Sequence, residues 1–437
     1  MRQVRPSLAV AVGFCLFFMG AQTAARAGDW PQWRGPAGNS TCDETGLPTH
    51  WSEQENIAWK TPLPEWGTST PAIFGDAIFV TTESDAALLL LRIDKGTGRI
   101  VWKEQIGSGR ANRRQPGQKR ASKYHPLHNM ASPSPVTDGQ RVVVHFGNGD
   151  LASYTFAGRQ EWKRNLVADY GPYTVWWGHA NSPLLVGDAV ISVCMQDSLE
   201  GTGRAIAPSY VVAHDKRTGK PLWKVMRMTG ADAEACDSYT TPVLSHSSGH
   251  AEMIVMGGTV VDAYDPANGT RIWELPGLLG GRTITGPTVA DGFVYVTAGM
   301  RGPLEAVKLG GRGRLDPAVA TAWKYTDSTP DTPCPVVARG AVYMVSDSGI
   351  ATSLDARTGN RVWRNRLASR NFKSSPLAAG GHIYFLGHDG QCTVVEASPD
   401  FRIIAKNSLD DEFTASPAVS NGRIYLRGRK ALYAIGK

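Results

Sequence analysis

The chain has 437 residues, of which 42% are hydrophobic and 19% charged, so it is rich enough in apolar residues to bury a core and is no disordered polyelectrolyte. A formal net charge of +7 is a mild surplus that argues neither for nor against an anionic partner. Taken in chain order, Arg2 and Arg5 give a positive start, Leu8 to Gly20 is an uncharged apolar run, and Ala25-Arg26-Ala27 offers small residues for cleavage. Residues 1–27 therefore read as a signal peptide, with an uncleaved anchor as the alternative, and no later stretch is apolar enough to span a bilayer as a helix. The expected product lies in the periplasm or another extracytoplasmic space of a bacterium. Its Cys42, Cys194, Cys236, Cys334 and Cys392 are odd in number, lack C-x-x-C spacing, and read as small buried hydrophobes with at most one bridge.

After an extended segment over residues 28–56, the chain repeats itself from residue 57 to 437. Asp94 to Trp102, Asp215 to Trp223, Asp265 to Trp273 and Asp355 to Trp363 each place Trp eight residues after Asp and Gly four before Trp. Gly158 to Trp162 is a copy without the Asp, and Trp323 follows a longer lead containing Gly310, Gly311 and Gly313. Alternating with this pattern are eight opening prolines (71, 135, 183, 242, 287, 335, 376 and 417), each leading an apolar stretch, a turn and a β-branched or aromatic run. Proline suits the first residue of a strand, where its missing N–H is tolerated. Each unit reads as four short antiparallel strands, and no window carries a helical period.

The fold expected is an all-β, eight-bladed propeller. Its last unit stops before a Trp, and Ile57 to Thr61, containing Trp59, supplies the missing outer strand from the other end of the chain. Trp59, Trp102, Trp162, Trp223, Trp273, Trp323 and Trp363 are read as structural, packing blade on blade.

The A-x-D-x-x-T-G-x-x-x-W pattern resembles the PQQ-like repeat β-propeller superfamily, whose members include quinoprotein alcohol dehydrogenases and BamB-like proteins of outer-membrane assembly. The leader Asp29-Trp-Pro-Gln-Trp-Arg-Gly-Pro36 is similar to the start of many exported bacterial proteins with these repeats. The resemblance implies the fold. For activity it leaves two classes open, because the same blades serve enzymes and binders.

Candidate functional residues lie in the irregular parts. Insertions at 103–131, 163–181, 195–209 and 224–240 all map to one face of the ring and would wall it over blades two to four. That face carries the aromatic cluster Tyr170, Tyr173, Trp176, Trp177 and His179, which reads equally as a ligand platform or as a mini-core holding its loop down. Tyr124, His125 and His128 enter blade two, and Asn181, Tyr239 and Lys373 belong to a ring expected to rim the channel with Trp66, Asn129, Thr283, Thr332 and Thr414. The histidines lack a carboxylate or cysteine partner nearby in sequence, so no metal site is assigned. Six cations between Arg110 and Lys123 form a loop without an acidic residue.

The reading favoured is a non-catalytic binding or scaffold propeller, BamB-like among its forms, whose insertion face takes a protein, a peptide or a small ligand at the channel mouth. It is expected to act as a monomer, without nucleic acid. The alternative is a PQQ-dependent dehydrogenase acting on alcohols or sugars, which would need PQQ with calcium, carboxylate and amide ligands, and an Asp base. The chain lacks the adjacent cysteines usual in that class, the C-x-x-C-H haem motif, and the G-x-S-x-G elbow of a hydrolase.

Overall fold

A computed structural model describes residues 28–109, 124–195, 208–231, 233–299 and 302–437; the signal-peptide reading and the cation-rich loop lie outside them. The described residues form eight separate antiparallel sheets arranged as the blades of a propeller, as the repeat requires. Blade 1 is typical, with strands Ala72–Phe74, Ala77–Ser84, Ala87–Asp94 and Ile100–Ser108 running from the channel outward. Blade 8 is completed as expected: Ile57–Pro62 pairs antiparallel with Ala431–Ile435, so the two ends of the repeat share one sheet. The joint between blades 8 and 1 then buries Ile73, Val80 and Leu91 with Ile424, Leu426 and Leu432 in one apolar cluster.

The repeat motif is explained by what each blade does to the next. Asp94 accepts bonds from the amide and hydroxyl of Thr97 at 2.8 and 2.7 Å, closing the turn between third and fourth strands, and Asp215 with Thr218 and Asp355 with Thr358 repeat this. The following glycine has positive φ, +74° at Gly98, and a side chain there would also strike Trp59 of the preceding blade. That tryptophan donates its indole N–H to the carbonyl of Lys95 at 3.0 Å. The same clamp joins Trp102 to Phe156, Trp162 to Lys216, Trp223 to Pro266, Trp323 to Ala356 and Trp363 to Ser398. Trp273 departs from the pattern and donates to Glu252, because the Gly-rich lead of blade 5 is diverted along blade 4, where Gly313–Arg314 adds a parallel fifth strand.

A second set of ties surrounds the channel. The residue before each opening proline is small, and at six of the eight joints its amide donates to the side chain of its counterpart in the next blade. Thr70 bonds Ser134 at 2.9 Å, Ser134 bonds Ser182 at 2.9 Å, and Ser182 bonds Thr241 at 3.0 Å. Gly286 bonds Cys334, Cys334 bonds Ser375, and Ser375 bonds Ser416, each at 3.1 Å. The cysteine is thus a ring member, and no disulfide joins any two of the five described cysteines.

The 28–56 segment is built into the ring. Trp30 exchanges 2.8 Å backbone bonds with Ile73, Pro31 accepts from Thr137 of blade 2, Ser40 accepts from Ala378 of blade 7, and Thr41–Cys42 pairs parallel with that blade's inner strand. These contacts fall on the ends of the inner strands away from the opening prolines, so the segment crosses the channel at the far face.

Two outcomes test this account. Deleting residues 50–63 should lower the melting temperature by roughly 10 °C or more, because it opens blade 8 and exposes a sheet edge; an unchanged melt would refute closure by that strand. Trp323→Ala should cost about 3–5 kcal/mol in chemical denaturation, the loss of a buried aromatic and its indole bond.

Candidate functional site

With its far end crossed by the leader, the channel becomes a funnel open on the insertion-bearing face. Its cavity of about 240 Å³ is lined from all eight blades, with Trp33 of the leader at the floor. Arg34 lies behind Trp33, its guanidinium 5.3 Å from that ring, and is fully buried. It donates to the carbonyls of Pro287 and Pro335 and to the hydroxyls of Thr288 and Ser40. Burial holds its pKa below the ordinary guanidinium value. Gly286 has to be glycine because Trp33 lies where a side chain would project.

The rim holds His125, His128, Trp177, Tyr239 and Lys373 of the sequence-derived candidates. His125 packs edge-on against Trp177 with centroids 5.1 Å apart, and Nε2 of His128 lies 2.7 Å from the Trp177 carbonyl. The Trp177 amide donates to the Tyr239 hydroxyl at 3.1 Å, and that hydroxyl donates to Asp237 at 3.3 Å. Burial, with Asp237 alongside, raises the Tyr239 pKa well above its usual value. The wall opposite carries paired charges: Lys373 with Asp347 at 2.8 Å, and Arg282 with Asp331 at 3.2 Å and Glu234 at 2.9 Å.

The other candidates lie beneath this rim. Tyr124 is buried under Gly178, and Trp176, half-buried, donates its amide to Asp237 at 3.2 Å. Tyr170, Tyr173 and His179 form the mini-core of the second insertion, which starts with the short helix Leu166–Tyr170 capped by Asn165. Tyr173 stacks on His179 at 4.6 Å and bonds His145 at 2.9 Å, His179 meets His145 at 3.3 Å, and Tyr170 bonds His214 at 3.0 Å. Asn181 is buried and donates to the Thr240 carbonyl at 2.5 Å, while the Asn129 amide donates to the Trp66 carbonyl at 2.7 Å. Asn129, Asn181 and Thr283, expected on the rim, are instead buried where neighbouring loops are tied together; Trp66 lies outside the funnel beneath Arg429. The residues that sequence reasoning missed are Trp33, Arg282 and Asp331. For Trp33 a signal existed, since two tryptophans in eight leader residues exceed what an extended segment needs.

Among the described residues the funnel lining offers no carboxylate cluster for a calcium-bound quinone. Among the described residues no three His, Cys, Asp or Glu converge on a point, and Asp331, the carboxylate on the described funnel wall, is held by Arg282.

The sequence matches, over residues 43–195, 207–309 and 313–400, the family described as outer membrane protein assembly factor BamB. Comparison with curated proteins gives no match. Among solved structures, BamB from Moraxella catarrhalis aligns at 14% identity with a TM-score of 0.60, covering 87% of this chain and 100% of that one. Quinohemoprotein alcohol dehydrogenase from Comamonas testosteroni aligns at 12% identity with a TM-score of 0.68, covering 94% of this chain and 81% of that one. A europium-containing methanol dehydrogenase aligns at 12% identity with a TM-score of 0.60, covering 94% and 90%. At such identities the structural likeness is one of fold.

The buried histidines predict a pH dependence. Burial pushes His214 down to about 4 and His179 down to about 3, below the unfolded value of about 6.5. Lowered folded values mean that the unfolded chain binds more protons below pH 6.5, so stability is fully present above that pH and falls as pH drops toward 4. His214 alone should remove roughly 3 kcal/mol between pH 7 and pH 4. Denaturant midpoints measured across that range would show the decline, and a flat profile would contradict it.

Proposed function

This chain belongs to the family described as outer membrane protein assembly factor BamB, and we propose that it is an exported binding propeller whose insertion face and funnel receive a partner or ligand. The observation that carries this reading is the shape of the channel: closed below by Trp33, lined by every blade, and walled on one side by the rim of His125, His128 and Trp177. A rigid ring presenting loop aromatics beside a pocket is a common way to build a recognition surface. The rim is positioned by a packed mini-core, which lowers the ordering cost of binding. The paired charges of the opposite wall suit polar contacts around an aromatic anchor. BamB-like participation in outer-membrane assembly is the specific form we favour, with a protein or peptide as partner.

The second reading, a quinoprotein dehydrogenase, is supported by the aromatic floor at Trp33, which suits a planar ring. Titration with PQQ, with and without calcium, separates the two, since saturable calcium-dependent binding would favour the enzyme.

The binding reading is tested by crosslinking capture with the exported protein and its Trp177→Ala and His125→Ala variants. A specific partner should be held by the parent and its affinity should fall about tenfold or more in Trp177→Ala, as for a central aromatic anchor. Equal capture by parent and variants would remove the rim from the interface.

A further inference from the structure

The hydroxyls around the funnel floor are used in one direction only. The hydroxyls of Ser134, Ser182, Thr241, Ser375 and Ser416 each accept one amide from the preceding blade and make no other hydrogen bond among the described residues. A hydroxyl that accepts through a lone pair keeps its hydrogen to donate. Thr70, the sixth hydroxyl of the set, makes no hydrogen bond through Oγ1 at all, though that atom is buried. All six line the cavity. Six of the eight positions around the funnel floor therefore carry an O–H donor with no acceptor among the described residues.

Two buried arginines stand behind the ring. Arg34 stands behind it at blades 5 and 6, and Arg427, also buried, stands behind it between blades 8 and 1. Arg427 donates to the carbonyls of Ser69 and Thr81 and to the Ser69 hydroxyl, and its buried Nε has no acceptor. Among the described residues neither guanidinium has a carboxylate partner, whereas on the wall above Lys373 pairs with Asp347 and Arg282 with both Asp331 and Glu234. A buried cation without a counter-charge is costly, and a nearby anion offsets that cost. The hydroxyl donors and these two buried cations thus favour the same kind of ligand.

We propose that the hydroxyl ring of the funnel is a binding site for an oxyanion, the carboxylate or phosphate group of a small molecule whose remaining bulk lies against Trp33 and the rim. The inference rests on the reading of the funnel as a binding site and adds the chemistry of its ligand.

Thr70→Val provides the test, because it removes one donor of the ring without breaking an internal hydrogen bond. Calorimetric titration of the purified protein with sodium phosphate and, separately, sodium acetate should give saturable single-site binding of at least one probe. Binding of phosphate alone assigns a phosphate group, and binding of acetate alone a carboxylate. In Thr70→Val the affinity should fall about tenfold, the loss of one hydrogen bond to a charged group. Its melting temperature without ligand should equal or exceed that of the parent, and Thr70→Ser should restore binding. The proposal is overturned if neither probe binds up to about 10 mM, in the weak millimolar range, or if Thr70→Val binds as tightly as the parent. Partner capture through Trp177 is read separately, so either result can fail without the other.

Discussion

Around the axis of the molecule, one hydrogen bond is repeated: at six of the eight joints the amide before the opening proline donates to a small side chain in the next blade. Three such bonds join blades 1 to 4 and three join blades 5 to 8. The two interruptions are diametrically placed. Between blades 4 and 5 the acceptor position is Gly286, which offers no side chain because Trp33 presses on it. Between blades 8 and 1 it is Thr70, whose neighbour Ser69 is held by Arg427. A buried amide left without an acceptor costs about 1–3 kcal/mol, so positions meeting the next blade are confined to residues carrying a small acceptor. The same confinement keeps the channel wide enough to be a funnel.

The outer clamp and the inner ring divide the labour. Tryptophan indoles fix the spacing of the blades at their outer edges, and the axial bonds fix it near the channel. With both radii set, the loops above are free to differ from blade to blade. The second insertion uses that freedom to bury Tyr170, Tyr173 and His179 as a foundation, and the outward residues Trp177, His125 and His128 then hold a defined rim.

Legibility followed repetition. Asp94, Gly98, Trp102 and their counterparts recur with fixed spacing, and each has a physical reason to recur, so blade number, strand order and closure by Trp59 could be read directly. The site could be read only in part. Aromatic density located the second insertion but could not separate Trp177 on the rim from Tyr173 in the mini-core, since both roles select the same residue type. The register placed Tyr239 and Lys373 on the funnel, yet Asn129 and Asn181 turned into inter-loop bonds because loops approach the axis along paths that no periodicity encodes. Arg282 and Asp331 occur once each, and their pairing depends on the meeting of blades 5 and 6.

The strand Ile57–Pro62 finds its partner at Ala431–Ile435, almost the whole repeat region later. Because a ribosome releases the chain in order, the first strand waits with an unsatisfied edge until the last has been made. Contacts of such long sequence separation slow folding and prolong the exposure of sticky surface. The leader compounds the delay, since Trp30 to Cys42 docks on blades 1, 2, 5, 6 and 7 and settles only when those blades stand in a circle. Closure of the ring therefore falls late in the chain's maturation, after its last strand has been made.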